Sequence, residues 1–374
     1  MTSVNLSNIA ITKAKFRYSM SELVDDFLRK KLSKEVREYA KNQLGIDHIY
    51  KSYDFSKIDF EKDDFVEPDV SLGDMYYRTL KKSLRGVDTK KIGLLVTIND
   101  NQQYLDPSPT VELIPKLALR KDIRAQNFQG LACSSFSESL LNSAGFFLMN
   151  GKDDAVVLIG THYTPWFLDR IKQIKHISKK NKADFHNLIY FLIFSDITAS
   201  VILSEKKTKN TQLQIDTESI LTLKDTKNAS KKATIKISPD KKHRMIFDMK
   251  LDSQKLRQDV ANLSAQNIKL LRKKTPTEFK KIKIWGLHTA GSRFMDYVSE
   301  KCQIDKTKIG LSYDLMKKTG NTGAVSSLQF INECVNKKEL SKNQLGCFVD
   351  YGWEGVNLFM FKKLFDGKTD RNED

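Results

Sequence analysis

Apolar residues recur along this chain in two alternating patterns: short unbroken runs, and longer stretches at helical spacing. Unbroken runs lie at residues 91–98 (KIGLLVTI), 155–160 (AVVLIG), 188–194, 199–203, 282–287, 345–351 and 356–361. Runs of that length, rich in branched side chains and bounded by polar residues, predict buried strands. Residues 125–131 are also strand-like. Between the runs, residues 21–44, 111–119, 134–150, 251–271, 291–301 and 324–335 carry apolar positions three and four apart and predict helices. Gly151 is a helix stop after the third of these, and Pro107 and Pro109 mark a loop before the second.

Strand and helix signals alternate through both ends of the chain, which predicts an α/β fold. A polar, Lys/Thr-rich stretch at residues 204–242 interrupts the alternation. Within it, residues 234–237 switch face every residue, predicting exposed antiparallel strands. The chain therefore divides into two mixed halves, residues 1–205 and 206–374, and residues 366–374 read as a frayed tail. No short-period repeat is visible.

Composition narrows the classes. The chain has 374 residues, 40% hydrophobic and 29% charged, enough for a sizeable core. No run approaches the roughly 20 apolar residues of a membrane span, and the first residues lack a secretory pattern. Four cysteines, Cys133, Cys302, Cys334 and Cys347, form no CxxC pair, so neither a metal site nor a disulfide framework is expected. A cytoplasmic, reducing location follows. The formal charge of +17 suits acidic partners: carrier proteins, coenzyme phosphates, anionic surfaces or nucleic acid. The lysines are spread out and accompany no nucleic-acid module, which makes nucleic acid the weakest of these.

Three residues stand where a strand or a loop opens a helix. Cys133, in NFQGLACSSFSESL, precedes a predicted helix, whose unpaired N–H groups and dipole favour a thiolate. Small neighbours leave room for a substrate. A small core cysteine would look the same in isolation. His288, in IWGLHTAGSRF, follows a buried strand, at the strand end where α/β folds meet ligands. There a neutral imidazole is suited to donate to a carbonyl becoming an enolate, although a structural histidine fits equally. Asn321, in KKTGNTGAVSSL, is either a left-handed turn residue, a helix cap, or a second donor to that carbonyl.

Taken together, the order Cys133, His288, Asn321 resembles the condensing enzymes of the thiolase fold. The likeness is to ketoacyl-carrier-protein synthase III, 3-ketoacyl-CoA synthases and type III polyketide synthases of the chalcone synthase kind. LDPSPTVELIPKLALRKDIRAQNFQGLACSS is similar to the family's approach to the nucleophile, and KDDAVVLIGTHYT to the helix end and strand that follow. IFSDITASVIL resembles its Gly-Asp-Gly strand, WGLHTAGSRFMD its histidine segment, TGNTGAVSSL its asparagine segment, and VREYAKNQLGID an early helix-turn.

The resemblance implies an αβαβα five-layer fold of two pseudo-repeated halves. Cys133 would then accept an acyl group, and His288 and Asn321 would bind the extender thioester carbonyl. The expected reaction is decarboxylative Claisen condensation of the Cys133-held acyl group with a malonyl-type thioester. Acyl transfer to oxygen or nitrogen, thioester hydrolysis, or an accessory-subunit role are the alternatives on the same fold. The resemblance also implies an oxyanion site at the Cys133 N–H and the loop between Gly352 and Gly355. Trp166, Phe167 and Phe247 would line the acyl pocket, and Arg37, Lys41 and Lys51 would meet coenzyme phosphates. No permanently bound cofactor is expected; CoA or phosphopantetheine thioesters are the substrates. An acyl-CoA or acidic acyl carrier protein is the expected partner, with a homodimer or a heterodimer with a homologue as the assembly. Two departures stand out. The C-terminal loop reads DYGWEGVNL, with Trp353 and Glu354 at positions usually small or proline. Ser195 and Ile197 replace the glycines that usually flank Asp196.

Overall fold

A computed structural model describes residues 3–99, 108–130, 132–150, 153–225, 233–239, 245–337 and 339–365. The first half contributes β1 (Ser3–Lys13), β2 (Phe16–Ser19), β3 (His48–Lys51), β4 (Ile92–Ile98), β5 (Arg124–Phe128), β6 (Asp154–Thr161) and β7 (Ile197–Ser204). The second contributes β8 (Thr211–Asp216), β9 (Leu221–Lys224), β10 (Ala233–Pro239), β11 (Met245–Leu251), β12 (Ile282–Leu287), β13 (Leu345–Tyr351) and β14 (Gly355–Lys363). Ten of these form one sheet in the order β12-β13-β14-β8-β1-β7-β6-β4-β5, with β9 added on β14.

The two ends of that sheet repeat one plan. In the first half β4 and β6 are parallel, and β7 and β1 follow antiparallel. In the second, β12 and β13 are parallel, and β14 and β8 follow antiparallel. The plans join where β1 pairs with β8.

The unbroken apolar runs resolve into two faces. Leu94, Val96 and Ile98 of β4 and Val157 and Ile159 of β6 enter a central core, as do Phe348 of β13 and Phe359 and Phe361 of β14. The intervening Leu95, Val156 and Leu158 face a second cluster, and Cys347, Val349, Leu358 and Met360 face a third. A strand covered on both faces has no reason to alternate in polarity, which is why the sequence shows runs.

Helices fill the spaces so created. The early ones are α1 (Lys34–Gln43), α2 (Leu72–Ser83), α3 (Pro109–Lys116), α4 (Ser135–Asn150), α5 (Thr164–Gln173) and α6 (Lys182–Ile193). The later ones are α7 (Ser253–Lys274), α8 (Pro276–Lys280), α9 (Ser292–Cys302), α10 (Gly310–Thr319) and α11 (Val325–Asn336). Phe136 and Leu140 of α4 and Val325, Leu328 and Ile331 of α11 lie in the core between the two halves of the sheet. Leu72 and Leu80 of α2 cover the outer face of the first half. Leu256 and Val260 of α7 and Met295 of α9 belong to the cluster on the outer face of the second. Helix, sheet, helix, sheet, helix: the α/β fold is the five-layer αβαβα arrangement.

Several elements differ from the sequence expectation. Residues 21–44 are not one helix but a π-helical turn, Glu22–Phe27, followed by α1. Ser33 breaks the stretch, its hydroxyl capping the Val36 N–H at the start of α1. Residues 188–194 are not a strand. They are the end of α6, a helix with Leu188, Phe191, Leu192 and Ile193 all buried, so apolar residues occupy nearly all its circumference and hide its period. The expected antiparallel strands near 234–237 are the β10–β11 hairpin. In the polar stretch before it, β8 and β9 join the main sheet. Residues 366–374 lie outside the described residues, as do Leu131 and Gly151.

Candidate active site

Cys133 lies in a single 3-10 turn, Ala132–Ser134, that runs directly into α4. Its thiol is half-buried, whereas Cys302, Cys334 and Cys347 are buried. Burial pushes the thiols of Cys334 and Cys347 far up, and that of Cys302 up to about 12, so these three are inert core residues.

His288 follows β12 and is 2% exposed. Its Nδ1 lies 2.7 Å from the Ser326 hydroxyl at the start of α11, which leaves Nε2 as the ring nitrogen to meet a ligand. Tyr351 packs edge-on against the ring at 5.1 Å, and its hydroxyl donates to the His288 carbonyl at 2.6 Å. Burial pushes the imidazole down to about 3, so the ring is neutral at ordinary pH. A neutral imidazole held at Nδ1 by a hydroxyl is a donor at Nε2 whenever the hydroxyl is the donor in that pair.

Asn321 occupies the turn between α10 and α11. Its Oδ1 accepts from the Gly323 N–H at 2.9 Å, so the amide nitrogen is the end left to donate. The backbone is pinned on both sides: Asn321 N–H donates to Ile193 at 2.7 Å, and its carbonyl accepts from Ser195 N–H at 3.0 Å. Gly320 has φ +64°, and any side chain there would run into the Ile193 carbonyl.

These three residues come from distant parts of the chain and line one cavity of about 300 Å³. Its remaining walls are mainly aromatic. Tyr163, Phe167, Tyr190 and Phe194 form a connected cluster, with Phe167 stacked on Tyr190 and Tyr190 on Phe194, both at 5.7 Å. Tyr39, Phe185, Phe294 and Trp353 complete the enclosure. The volume is at the small end of ligand pockets, and the lining suits an apolar or planar group.

The other residues singled out by sequence are placed as follows. Phe167 lines the cavity; Trp166 packs edge-on against Tyr163 at 5.5 Å and does not line it. The side chain of Phe247 lies outside the described residues, although its strand β11 runs beside α5 and α6. Gly352 borders the cavity, and its N–H donates to the Gly355 carbonyl at 3.0 Å. Gly355 itself opens β14, paired with Lys224 of β9. Arg37 and Lys41 on α1 are both ion-paired with Asp25, at 3.1 and 3.0 Å. Lys51 is fully buried, its ammonium donating to the Phe191 and Phe194 carbonyls, so it does not present a charge to coenzyme phosphates.

Sequence reading missed the tyrosine-rich wall and the Ser326 partner of His288. The motif HNLIYFLIF carries four of the aromatic or apolar lining residues, but as a presumed strand it gave no sign that they share a face. Glu354, noted as unusual, accepts a hydrogen bond from Ser134, the residue next to Cys133. Among the described residues no cluster of His, Cys, Asp or Glu could hold a metal ion, and no helix is long and apolar enough to cross a membrane.

No family model matches the sequence, and no curated protein sequence matches it. Solved structures do match over nearly the whole chain. OleA of Xanthomonas campestris is 14% identical, with 96% of this chain and 98% of that chain covered and a TM-score of 0.76. FabH of Xanthomonas oryzae, a 3-oxoacyl-(acyl carrier protein) synthase III, is 15% identical, with the same coverage and TM-score. The C-terminal type III polyketide synthase domain of a Dictyostelium type I/III hybrid is 15% identical, covering 98% of this chain and 100% of that one at a TM-score of 0.78. OleA has been solved with bound lauric acid and lauroyl-CoA, and CsyB with CoA-SH. The chain has the fold of these condensing enzymes.

Proposed function

We propose that this protein is a ketosynthase-type acyltransferase that joins an acyl group on Cys133 to the carbanion of a malonyl-type thioester. One observation carries the reading: Cys133, His288 and Asn321, 155 and 33 positions apart, converge on a single aromatic-lined cavity.

In the first half-reaction the Cys133 thiolate attacks the acyl thioester carbonyl. The new carbon–sulfur bond forms as the donor thiol leaves, and that thiol takes up the proton Cys133 lost. In the second, the extender thioester carbonyl accepts hydrogen bonds from His288 Nε2–H and the Asn321 amide. Loss of CO2 leaves its electron pair as an enolate held by those two donors. The enolate carbon attacks the acyl carbonyl on Cys133, and the cysteine departs as thiolate. His288 is suited to this work because burial keeps it neutral; a charged imidazolium would protonate the enolate instead of holding it.

The Cys133 backbone N–H is the acyl oxyanion donor in this reading. The second comes from residues 353–355, since the Gly352 N–H is engaged by Gly355. CoA or carrier-protein thioesters are the substrates, the protein works as a dimer, and the two halves divide near residue 205.

The test is intact-protein mass spectrometry after incubation with a panel of acyl-CoA donors, followed by CO2 release from malonyl-CoA. Cys133→Ala is expected to gain no acyl mass. Labelling of that variant at the wild-type level would sink the assignment, and acylation without any CO2 release would favour simple acyl transfer.

A further inference from the structure

Asn321 has neither helix nor strand to hold it, yet the proposed chemistry requires its amide to be fixed within a fraction of an ångström. Its backbone partners are Ile193, the last residue of α6, and Ser195, in the short link from α6 to β7. The position of that link therefore sets the position of the amide.

Two side chains lock the link. Lys51, on β3, is completely buried and places Nζ 2.6 Å from the Phe191 carbonyl and 2.8 Å from that of Phe194. These belong to the last turn and cap of α6, where carbonyls lack intrahelical donors and a cation is favoured. The ammonium also lies 4.6 Å from the Phe191 ring. No carboxylate among the described residues lies within ion-pair range of it; Asp196 acts on it from further away. Ser195, also completely buried, uses its hydroxyl twice: it accepts from Tyr50 N–H at 2.9 Å and donates to the Thr319 carbonyl at 2.6 Å.

The link is thus tied to β3 on one side and to the turn carrying Asn321 on the other. Asp196 completes the tie, donating from its N–H to Tyr50 at 2.8 Å and accepting from Ser52 N–H at 2.9 Å and Thr164 N–H at 3.1 Å. Glycine at position 195, the residue expected there from the family resemblance, would supply neither hydroxyl bond. Burying an ammonium is costly unless its hydrogen bonds are specifically needed, and a methionine would fill the same space without that cost. What only lysine supplies here is a pair of donors to one helix end.

We propose that Ser195 and Lys51 are positioning residues that hold the Asn321 amide in register with the cavity for the decarboxylation half-reaction. The inference rests on the reading of Asn321 as a donor to the extender carbonyl. Acylation of Cys133 does not use Asn321, so the two half-reactions separate positioning from general damage to the fold.

The experiment measures both steps on Ser195→Ala, Ser195→Gly and Lys51→Met. Acyl transfer to Cys133 is followed by intact mass, and CO2 release from malonyl-CoA by a radiolabel assay. A displacement of the order of 1 Å costs up to about a hundredfold in rate, and a partial loosening correspondingly less. CO2 release is expected to fall roughly tenfold in kcat, with KM for malonyl-CoA little changed and Cys133 acylation within about twofold of the unaltered protein. Equal losses in both steps, or unchanged CO2 release in the soluble serine variants, overturn the inference while leaving the function intact. Absence of CO2 release from the unaltered protein overturns the functional reading, and this inference with it. Lys51→Met is the variant at risk of misfolding, and the two serine variants carry the test without it.

Discussion

The two walls of the cavity are built on opposite principles. On the wall of His288 and Asn321, most of the polar groups that set the geometry have named partners: Nδ1 with Ser326, Oδ1 with Gly323, the turn backbone with Ile193 and Ser195. Behind Cys133 the polar groups are less well served. Asp350 of β13 is buried beside Asn357 of β14, its cross-strand neighbour, and neither carboxyl oxygen makes a full hydrogen bond among the described residues. The Asn357 amide donates to the Ser134 carbonyl at 2.8 Å, but its oxygen and the Ser137 hydroxyl lack such partners among the described residues. Burial and then the Glu354 carboxylate push Asp350 well above the carboxylate range, with the Tyr351 backbone a weak offset. One wall is rigid by satisfaction. The other stores unsatisfied polarity next to the nucleophile, which is where functional sites depart from structural economy.

The sharpest way to break this contrast is to remove a donor from the satisfied wall. Asn321→Ala is expected to lower CO2 release by roughly 10²–10³ while Cys133 still acylates, read as separate half-reactions. Equal effects on both steps would show that the walls do not divide the chemistry.

The walls also carry opposite pH signatures in stability. His288 has its folded pKa depressed to about 3, so the unfolded chain binds the extra proton between there and about 6.5. Stability is lost as pH falls below 6.5, by on the order of 2 kcal/mol at pH 5. Asp350 is raised, so its contribution is present below the unfolded value and lost as pH rises through the folded one. Urea unfolding at pH 5 and 7 should therefore show a smaller difference in His288→Asn than in the unaltered protein. Asp350→Asn should gain stability at pH 7 and lose the gain toward pH 4.

A smaller effect is expected from charge alone. Glu354→Gln removes a carboxylate bonded to the neighbour of Cys133 and so favours the thiolate. Iodoacetamide should alkylate Cys133 about three- to tenfold faster at neutral pH in that variant. Smallest of all, Lys57→Ala breaks the pairs of an exposed lysine with Asp54 and Asp69, none of which lines the cavity, and should change stability by less than about 0.5 kcal/mol.

How much of this was legible in the sequence follows from what each residue needed to be seen. The buried strands showed as unbroken runs because both faces are covered, and Cys133, His288 and Asn321 showed because the junctions that open helices have recognisable small-residue signatures. Three things stayed hidden. The last turns of α6 are apolar nearly all round, so no period could separate helix from strand. In β1, the sequence SVNLSNIAITK mixes polar and apolar residues, yet Asn5 and Ser7 are buried, the Asn5 amide donating to the Ser204 and Glu205 carbonyls. Lys51 read as a charge for coenzyme phosphates, since only the fold reveals two carbonyls waiting for its ammonium.

The seam between β1 and β8 has a consequence for how the chain is made. Asn5 pairs with Ser204 and Ser3 with Asp216, so β1 has no strand partners until the polypeptide beyond those positions has emerged. Contacts of such sequence separation slow folding, and an unpaired strand held waiting is a point of misassembly. Until β1 inserts, the strands of the half that carries the nucleophile are not joined to the strands of the half that carries its donors. Closing that seam waits on residues 211–216, and a nascent chain halted before them would display Cys133 with neither His288 nor Asn321 yet made.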